Sequence, residues 1–347
     1  MKKRFIIPLV LLITLVLIGV SAFFWWKENI KPASGNITKQ RFVVSRGLTA
    51  SQVGQKLYDA GLIKNVLAFK IYVQVFDKTK NINAGEFTLS PSTTLAEIVS
   101  ILGKGPEELW VTIPEGLRKE EVVERLISGL EMDAGKAGSF RDEFLIEASD
   151  KEGQLFPDTY LFPRDIKATV AVNKMIDTFE TKIDQKMKED ISGSGKDLEE
   201  ILAMASLIER ETKTNEERPI VAGILWKRLD NKWPLQVDAT LQYAISTEKC
   251  KLSTKGGLSS GQNIENCSNW WPILTKDDLE IRSPFNTYKY TGLPPAAIAN
   301  PGLSSIKAAI YPEASDFWFY IHSPDGKIHY AKTITEHNLN IKKYLGK

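Results

Sequence analysis

Cysteine and histidine are scarce in this chain of 347 residues, which contains two cysteines and three histidines. Two cysteines cannot build a disulfide-dense scaffold or a cysteine-based zinc module. His322, His329 and His337 are seven and eight positions apart, and no helix or strand register brings all three together. The sequence therefore predicts neither a metal site nor a cofactor.

The chain also lacks an excess of either charge. It has 45 Lys and Arg residues and 43 Asp and Glu residues, which gives a formal net charge of +2. A balance this close to zero gives no basic footprint for nucleic acid, so we expect no nucleic-acid partner. Hydrophobic residues make up 43% and charged residues 25%, which is typical of globular proteins and excludes wholesale disorder.

A long uncharged run is present near the N-terminus, from residue 5 to residue 26. As a helix it would span about 33 Å, enough to cross a hydrocarbon core. Residues 2–4 are basic, which predicts a cytoplasmic tail (1–4) and an extracytoplasmic bulk. Residues 23–26 are aromatic and suit the outer membrane boundary. The alternative is a signal peptide cleaved near residues 20–22.

Two further regions precede the C-terminal part of the chain. Residues 27–39 are polar with Pro, Ser and Gly, which indicates a linker. Residues 40–131 contain a weak repeat of a short strand, a turn and an amphipathic helix. The spacing of Gly47, Val53 and Leu57 in one copy is identical to that of Gly116, Val122 and Leu126 in another. Such units resemble LysM-type carbohydrate-binding modules, and ordinary structural βα packing is the alternative.

Residues 132–347 form the predicted catalytic domain. Cys250 and Cys267 flank a polar stretch there and are a candidate disulfide, because the predicted compartment is oxidising. Two unpaired thiols are the alternative.

A strong helix is predicted from Asp197 to Thr212, and it carries two acids near its end. Glu209 falls within the apolar stripe that contains Leu202 and Ala205. A desolvated carboxyl there would have a raised pKa and could act as a general acid. Glu211 projects nearly opposite, so only one of the two can serve a given cleft. The helical wheel favours Glu209 as the general acid and leaves Glu211 open. The structural alternative is that both are surface carboxylates.

The segment from Arg282 to Gly302 is rich in proline, glycine and aromatic residues and cannot form regular secondary structure over much of its length. A long irregular loop in a compact domain is usually functional. Rings beside amides and hydroxyls suit a sugar, while a self-packed structural loop is the alternative.

Several motifs in order along the chain are similar to those of the MltG (YceG-like) endolytic murein transglycosylases. They are 113–116 (IPEG), 153–163 (GQLFPDTYLFP), 205–212 (ASLIERET), 235–240 (LQVDAT), 283–288 (SPFNTY), 292–295 (GLPP), 300–302 (NPG) and 336–338 (EHN). The resemblance covers roughly residues 42–340. It implies an α+β protein with a single N-terminal transmembrane helix, a LysM-like βα subdomain and a mixed α/β catalytic domain.

The resemblance also implies an activity and a site. The enzyme would cleave nascent peptidoglycan between N-acetylmuramic acid and N-acetylglucosamine, leave a 1,6-anhydro-muramyl end and end glycan elongation. Glu209 would be its single catalytic acid, by its place in the motif. The implied substrate-binding residues are Gln236, Asp238, Ser283, Asn286, Thr287 and Tyr288. Location at the plasma membrane and partnership with peptidoglycan synthases are implied as well.

Two other functions remain open at this point. A hydrolytic muramidase acting on the same bond would need a second acid, for which Asp238 is the candidate. A non-catalytic peptidoglycan-binding scaffold would need no acid at all.

Overall fold

The computed structural model describes residues 3–45, 47–76, 82–105, 108–253 and 269–346. The chain contains two compact units, one formed by Met1–Leu109 with Leu161–Arg164 and the other by Trp110–Tyr160 with Asp165–Lys347. The predicted boundary between domains lay later, at residues 131 and 132. Helices and strands are mixed in the chain, as an α+β class requires.

The N-terminal apolar run is helical. Helix α1 covers Lys3–Asn29, and its segment Leu12–Asn29 is long and apolar enough to cross a membrane. Its apolar side chains are exposed from residue 12 onward, as the surface of a membrane span would be. The helix continues past residue 26, so the first residues of the predicted linker are helical.

The rest of the first unit places three helices against a strand pair. Its elements are β1 (Gln40–Val44), α2 (Ala50–Asp59), α3 (Val66–Val75), β2 (Gly85–Leu89), α4 (Leu95–Lys104) and the start of β3 (Glu108–Thr112). Strands β1 and β2 are antiparallel, with Phe42 opposite Phe87, and Glu86 pairs with Glu108 of β3. Alternation along β1 buries Phe42 and Val44 among apolar residues of the helices.

The predicted repeat has a structural counterpart at its helices. Val53 and Leu57 of the first copy, and Val122 and Leu126 of the second, have no exposed surface. Gly47 and Gly116 have φ values of 83° and 78°, a backbone conformation that L side chains rarely adopt. The amphipathic helices are therefore confirmed, while the likeness to LysM modules stays a prediction.

The second unit is mainly helical. Its helices are α5 (Lys119–Gly129), α6 (Ala134–Glu147), α7 (Ala168–Lys182), α8 (Gln185–Gly193), α9 (Leu198–Glu211), α10 (Glu217–Asp230), α11 (Asp238–Ser253), α12 (Leu303–Ile310) and α13 (Ile334–Leu345). Helix α9 starts with a capping box between Asp197 and Glu200 and is buried from Ile201 to Ile208. Helices α10, α11 and α12 pack against it, which makes α9 the centre of the core.

Short strands and a central asparagine complete this unit. Ile113 N donates to Asp158 O, beside the start of β4 (Thr159–Pro163), and β5 (Phe319–His322) pairs antiparallel with β6 (Ile328–Ala331). The turn residues 324–326 (PDG) predict a hairpin between 317–321 and 327–331, and the two strands confirm it with bounds that differ by one or two residues. Buried Asn300 accepts hydrogen bonds from the amides of Gly153 and Leu155 and so holds two loops together.

Candidate active site

The end of helix α9 presents two carboxylates on different sides. Glu209 and Glu211 are two positions apart, which corresponds to a rotation of about 200° around a helix axis. The two acids consequently have separate surroundings, as the wheel predicted. Their partners decide what each can do chemically.

Glu209 is buried and fully engaged with hydrogen-bond donors. Its Oε1 accepts from Arg218 Nη2 at 2.9 Å, and its Oε2 accepts from Gly302 N at 2.9 Å and Ser305 Oγ at 2.8 Å. The side chains of Glu209 and Arg218 are only 7% and 9% exposed. Burial is therefore confirmed, but the predicted apolar surroundings are not found at its oxygens, which lie in a polar pocket.

Glu115 adds a second carboxylate to this pocket. Its Oε2 lies 3.5 Å from Arg218 Nη2, so one guanidinium serves both acids. Burial, together with the charge of Glu209, raises the pKa of Glu115, and Arg218 opposes this effect. A Cβ on Gly302 would come within 2.0 Å of Glu115 Oε1, so only glycine lets the carboxyl lie there. Glu115 itself is exposed, so the two carboxylates and the guanidinium form an ion cluster that reaches the protein surface.

The surroundings of the Glu211 carboxyl differ from those of Glu209. Its Oε2 accepts a hydrogen bond from Tyr320 Oη at 2.9 Å. Burial, together with the charge of Asp238, raises the pKa of Glu211 to about 7, although the hydrogen bond from Tyr320 and the charges of Arg228 and Arg210 oppose this shift. A carboxyl with such a pKa carries its proton near neutral pH and can still release it, which is what a general acid requires.

Two of the predicted substrate-binding residues lie by this acid. The Tyr288 hydroxyl donates to Asp238 Oδ1, and both residues interact electrostatically with Glu211 or with its partner Tyr320. Burial and the bond to Asp238 raise the pKa of Tyr288. Asp238 is the first residue of α11 and is exposed, so a polar rim lies beside a half-buried acid.

Gln236, another predicted ligand, is exposed in a strained backbone conformation. Its φ is 55°, which is uncommon for a residue with a Cβ, and its backbone N donates to Thr287 O at 3.0 Å. Strain of this kind persists only where the surroundings impose it, and it clusters at functional sites. The conformation is consistent with a binding role for this segment.

The remaining predicted ligands have internal partners. Asn286 has no exposed surface; its Nδ2 donates to Leu279 O and Ile281 O. Thr287 is 2% exposed and its Oγ1 accepts from Val237 N. Ser283 Oγ accepts from Phe285 N at 3.3 Å. These side chains shape the irregular loop, and their direct contact with a sugar stays a prediction.

Sequence reasoning did not assign Arg218, Arg228 or Tyr320 to the site. Arg218 and Arg228 are buried in α10, where an arginine inside an otherwise apolar helix signals a buried acceptor. Arg228 donates to the carbonyls of Leu235 and Trp318, so it joins two segments near Glu211. No local pattern identifies Tyr320, because it reaches Glu211 from a strand 109 positions away.

The three histidines lie against partners outside this site. His322 lies 3.2 Å from Glu217, His329 contacts Ser323, and His337 stacks on Phe319. Within the described ranges, no group of three His, Cys, Asp or Glu residues could hold a metal ion. The candidate disulfide between Cys250 and Cys267 lies outside the described residues at its second cysteine.

The carboxyl of Glu152 should make the stability of the fold depend on pH. Its Oε1 accepts from Lys119 N and Asn300 Nδ2, and burial, followed by the charge of Glu120, raises its pKa to about 8. A raised pKa means that the folded protein binds more protons than the unfolded chain between about pH 4.5 and 8, so stability falls as pH rises through that window. We expect Glu152→Gln to be more stable than the wild type by about 1–3 kcal/mol at pH 8.5.

Thermal unfolding at pH 5 and pH 8.5 measures this effect. The difference between the two proteins should grow with pH, whereas Glu199→Gln, at an exposed site, should track the wild type. A difference that is constant with pH would contradict the assignment.

Comparison with known proteins places this site in a family context. The YceG-like family matches residues 42–343. The chain is 28% identical to the endolytic murein transglycosylase of Bacillus subtilis, over 93% of this chain and 90% of that protein. It is 27% identical to the endolytic murein transglycosylase of Streptococcus pneumoniae, over 99% of this chain and 65% of that protein.

One solved structure is also similar. It is the crystal structure of a YceG-like protein from Listeria monocytogenes, with a TM-score of 0.57 and 27% identity. The match covers 87% of this chain and 98% of that one. The similarity therefore extends over most of both chains.

Proposed function

Because the chain belongs to the YceG-like family, we propose that it is an endolytic murein transglycosylase that cuts peptidoglycan glycan strands between N-acetylmuramic acid and N-acetylglucosamine. The observation that carries this proposal is the half-buried Glu211, with a pKa of about 7, beside the exposed Asp238 and the half-buried Tyr288. The arrangement offers one proton donor next to polar groups that can orient a sugar.

The reaction needs a single carboxyl that acts twice. Glu211 donates its proton to the glycosidic oxygen as the bond to muramyl C1 breaks, and the N-acetylglucosamine leaves as an alcohol. The resulting carboxylate accepts the proton of the muramyl C6 hydroxyl while O6 bonds to C1. The ring closes as a 1,6-anhydro sugar, no water is consumed and Glu211 regains its proton.

Glu211 suits this role better than Glu209 because of their partners. The oxygens of Glu209 accept three hydrogen bonds, one of them from a buried arginine, so they are already engaged within the protein. Glu211 has one tyrosine donor and a raised pKa. The motif-based assignment of Glu209 stays a prediction, and the variants considered in the Discussion test both acids together.

Hydrolysis is the second candidate, because Asp238 supplies another carboxylate whose charge reaches Glu211. A muramidase would use such a group to activate water. Digestion of purified glycan strands with the full chain, followed by mass spectrometry, separates the two reactions. An anhydro end is one water lighter than a reducing end, so reducing ends alone would overturn the proposed chemistry. Intact strands would favour the binding scaffold.

Tyr320→Phe should shift the pH profile of this reaction. The Tyr320 hydroxyl donates to Glu211 and so stabilises its carboxylate; without it, the pKa of Glu211 rises. Because the acid must be protonated to act, the limb of the rate profile that falls with increasing pH should move up by about one unit. Steady-state rates between pH 5 and pH 9 measure this. Tyr290→Phe, at an exposed position in the irregular loop, is the control, and a downward shift would contradict the role of Glu211.

We further propose that α1 anchors the enzyme in the plasma membrane with residues 1–4 in the cytoplasm. The apolar length of α1 and the basic residues 2–4 support this orientation. An enzyme held there would meet glycan strands as synthases extend them, and its cuts would end their elongation. Protease accessibility in intact and lysed spheroplasts tests the orientation.

A further inference from the structure

The end of the membrane helix is attached to the first unit. Trp26 of α1 stacks on Tyr72 of α3, with ring centroids 6.3 Å apart and an interplanar angle of 12°. Glu28 accepts a hydrogen bond from Lys64 Nζ at 2.7 Å, and Ile30 O accepts one from Leu95 N at 3.2 Å. These contacts lie within one compact unit, so α3 is held beside the point where α1 ends.

The depth of this point in a membrane follows from the length of the helix. The apolar run ends at Trp26, and the three residues that follow add about 4.5 Å of helix. The polar layer on each side of the hydrocarbon core is about 5–7 Å thick. A helix that packs against Trp26 is therefore at the level of the lipid headgroups.

The outer surface of α3 is apolar where a soluble domain would carry charge. Leu67 is 55% exposed and Val75 is 69% exposed, and Phe76, immediately after the helix, is 52% exposed. At 100° per residue, the helical wheel fixes the order of the residues on the outer side of α3. That order is Lys70, Gln74, Leu67, Ile71 and Val75, after which the buried Ala68 separates Val75 from the half-buried Tyr72. The polar members lie at one edge, and the apolar members lie toward Tyr72, whose ring contacts α1.

We propose that this face of α3, formed by Leu67, Ile71, Val75 and Phe76, lies in the headgroup layer of the same membrane that α1 crosses. The proposal goes beyond glycan cleavage and rests on the proposed membrane anchor alone. The part of the first unit that follows α1 then lies on the lipid surface.

Continuity with the anchor selects a lipid surface over a protein partner. The apolar edge of the arc points to the side on which α1 enters the membrane, and Lys70 at the other edge can extend its ammonium group to lipid phosphates. An interfacial helix needs this distribution, with apolar side chains at the acyl boundary and polar ones above it. Exposed apolar side chains in contiguous positions also require a partner of some kind.

Photocrosslinking to lipid tests the proposal in the full chain. Leu67→p-benzoylphenylalanine and Val75→p-benzoylphenylalanine are reconstituted separately into vesicles of phosphatidylglycerol and phosphatidylethanolamine, irradiated and analysed by mass spectrometry. Val43→p-benzoylphenylalanine is the matched control. Val43 is also apolar and 43% exposed, but it alternates with the buried Phe42 and Val44 and so lies on the sheet face away from the helices. We expect at least tenfold more lipid adduct at positions 67 and 75 than at 43.

Other outcomes overturn the proposal in distinguishable ways. Leu17→p-benzoylphenylalanine, within α1, reports on the anchor itself. Adducts at position 17 without adducts at 67 and 75 would reject the surface contact while keeping the anchor. No adduct at 17 would reject both. Adducts between two protein chains at 67 or 75, in place of lipid adducts, would identify a second copy as the occupant and reject the lipid contact.

Discussion

Glu211→Gln should reduce glycan cleavage by about 10²–10⁴-fold, because glutamine can neither donate the proton to the leaving oxygen nor accept one from the C6 hydroxyl. The substitution keeps the shape of the side chain and an oxygen acceptor for Tyr320, so binding of the glycan should change little. The measurement is the initial rate of anhydro-end formation by the full chain, with the concentration of folded protein set by circular dichroism.

Two variants on the same helix sharpen this result. Glu199→Gln removes an exposed carboxylate from the start of α9 and should leave the rate unchanged. Glu209→Gln tests the motif-based choice of acid. If Glu209→Gln were inactive although folded, and Glu211→Gln retained its rate, the assignment of the acid to Glu211 would be wrong, while the proposed reaction would stand.

Arg218→Ala should lower the free energy of unfolding by about 3–5 kcal/mol, because it leaves the buried carboxylate of Glu209 without its cation. Glu115 would lose the same partner, so two neighbouring acids would face each other uncompensated. Urea unfolding at pH 7 measures the effect. Part of the loss should be regained at pH 5, where one acid can take up a proton.

The control for this variant is an ion pair on the surface. Lys186 is exposed and lies one helical turn from the half-buried Asp190, and pairs near the surface contribute little because water screens them. Lys186→Ala should cost no more than about 0.5 kcal/mol. Equal losses in Arg218→Ala and Lys186→Ala would show that the Glu209 cluster does not stabilise the fold.

Local patterns predicted the elements that carry this site. The apolar periodicity of 197–212 identified a buried helix, and α9 runs from Leu198 to Glu211. The irregular character of 282–302 and the C-terminal hairpin followed from proline, glycine and turn residues. These features depend on neighbours within a few residues, so the sequence contains them directly.

The roles within the site depend on neighbours that are distant in sequence. The wheel showed that Glu209 and Glu211 point to different sides, but it could not show that Arg218 and Ser305 reach Glu209 while Tyr320 reaches Glu211. By residue type, Asn286 and Thr287 could bind a sugar. In the structure, both are buried and hydrogen-bonded to the backbone.

Periodicity and composition alone were enough to identify a helix long and apolar enough to cross a membrane, a buried central helix with two acids at its end, and an irregular loop. Which partners surround each acid depends on packing. A carboxyl's pKa depends on the donors and the burial around its oxygens, and those come from residues about ten to more than a hundred positions away that meet only when the chain folds.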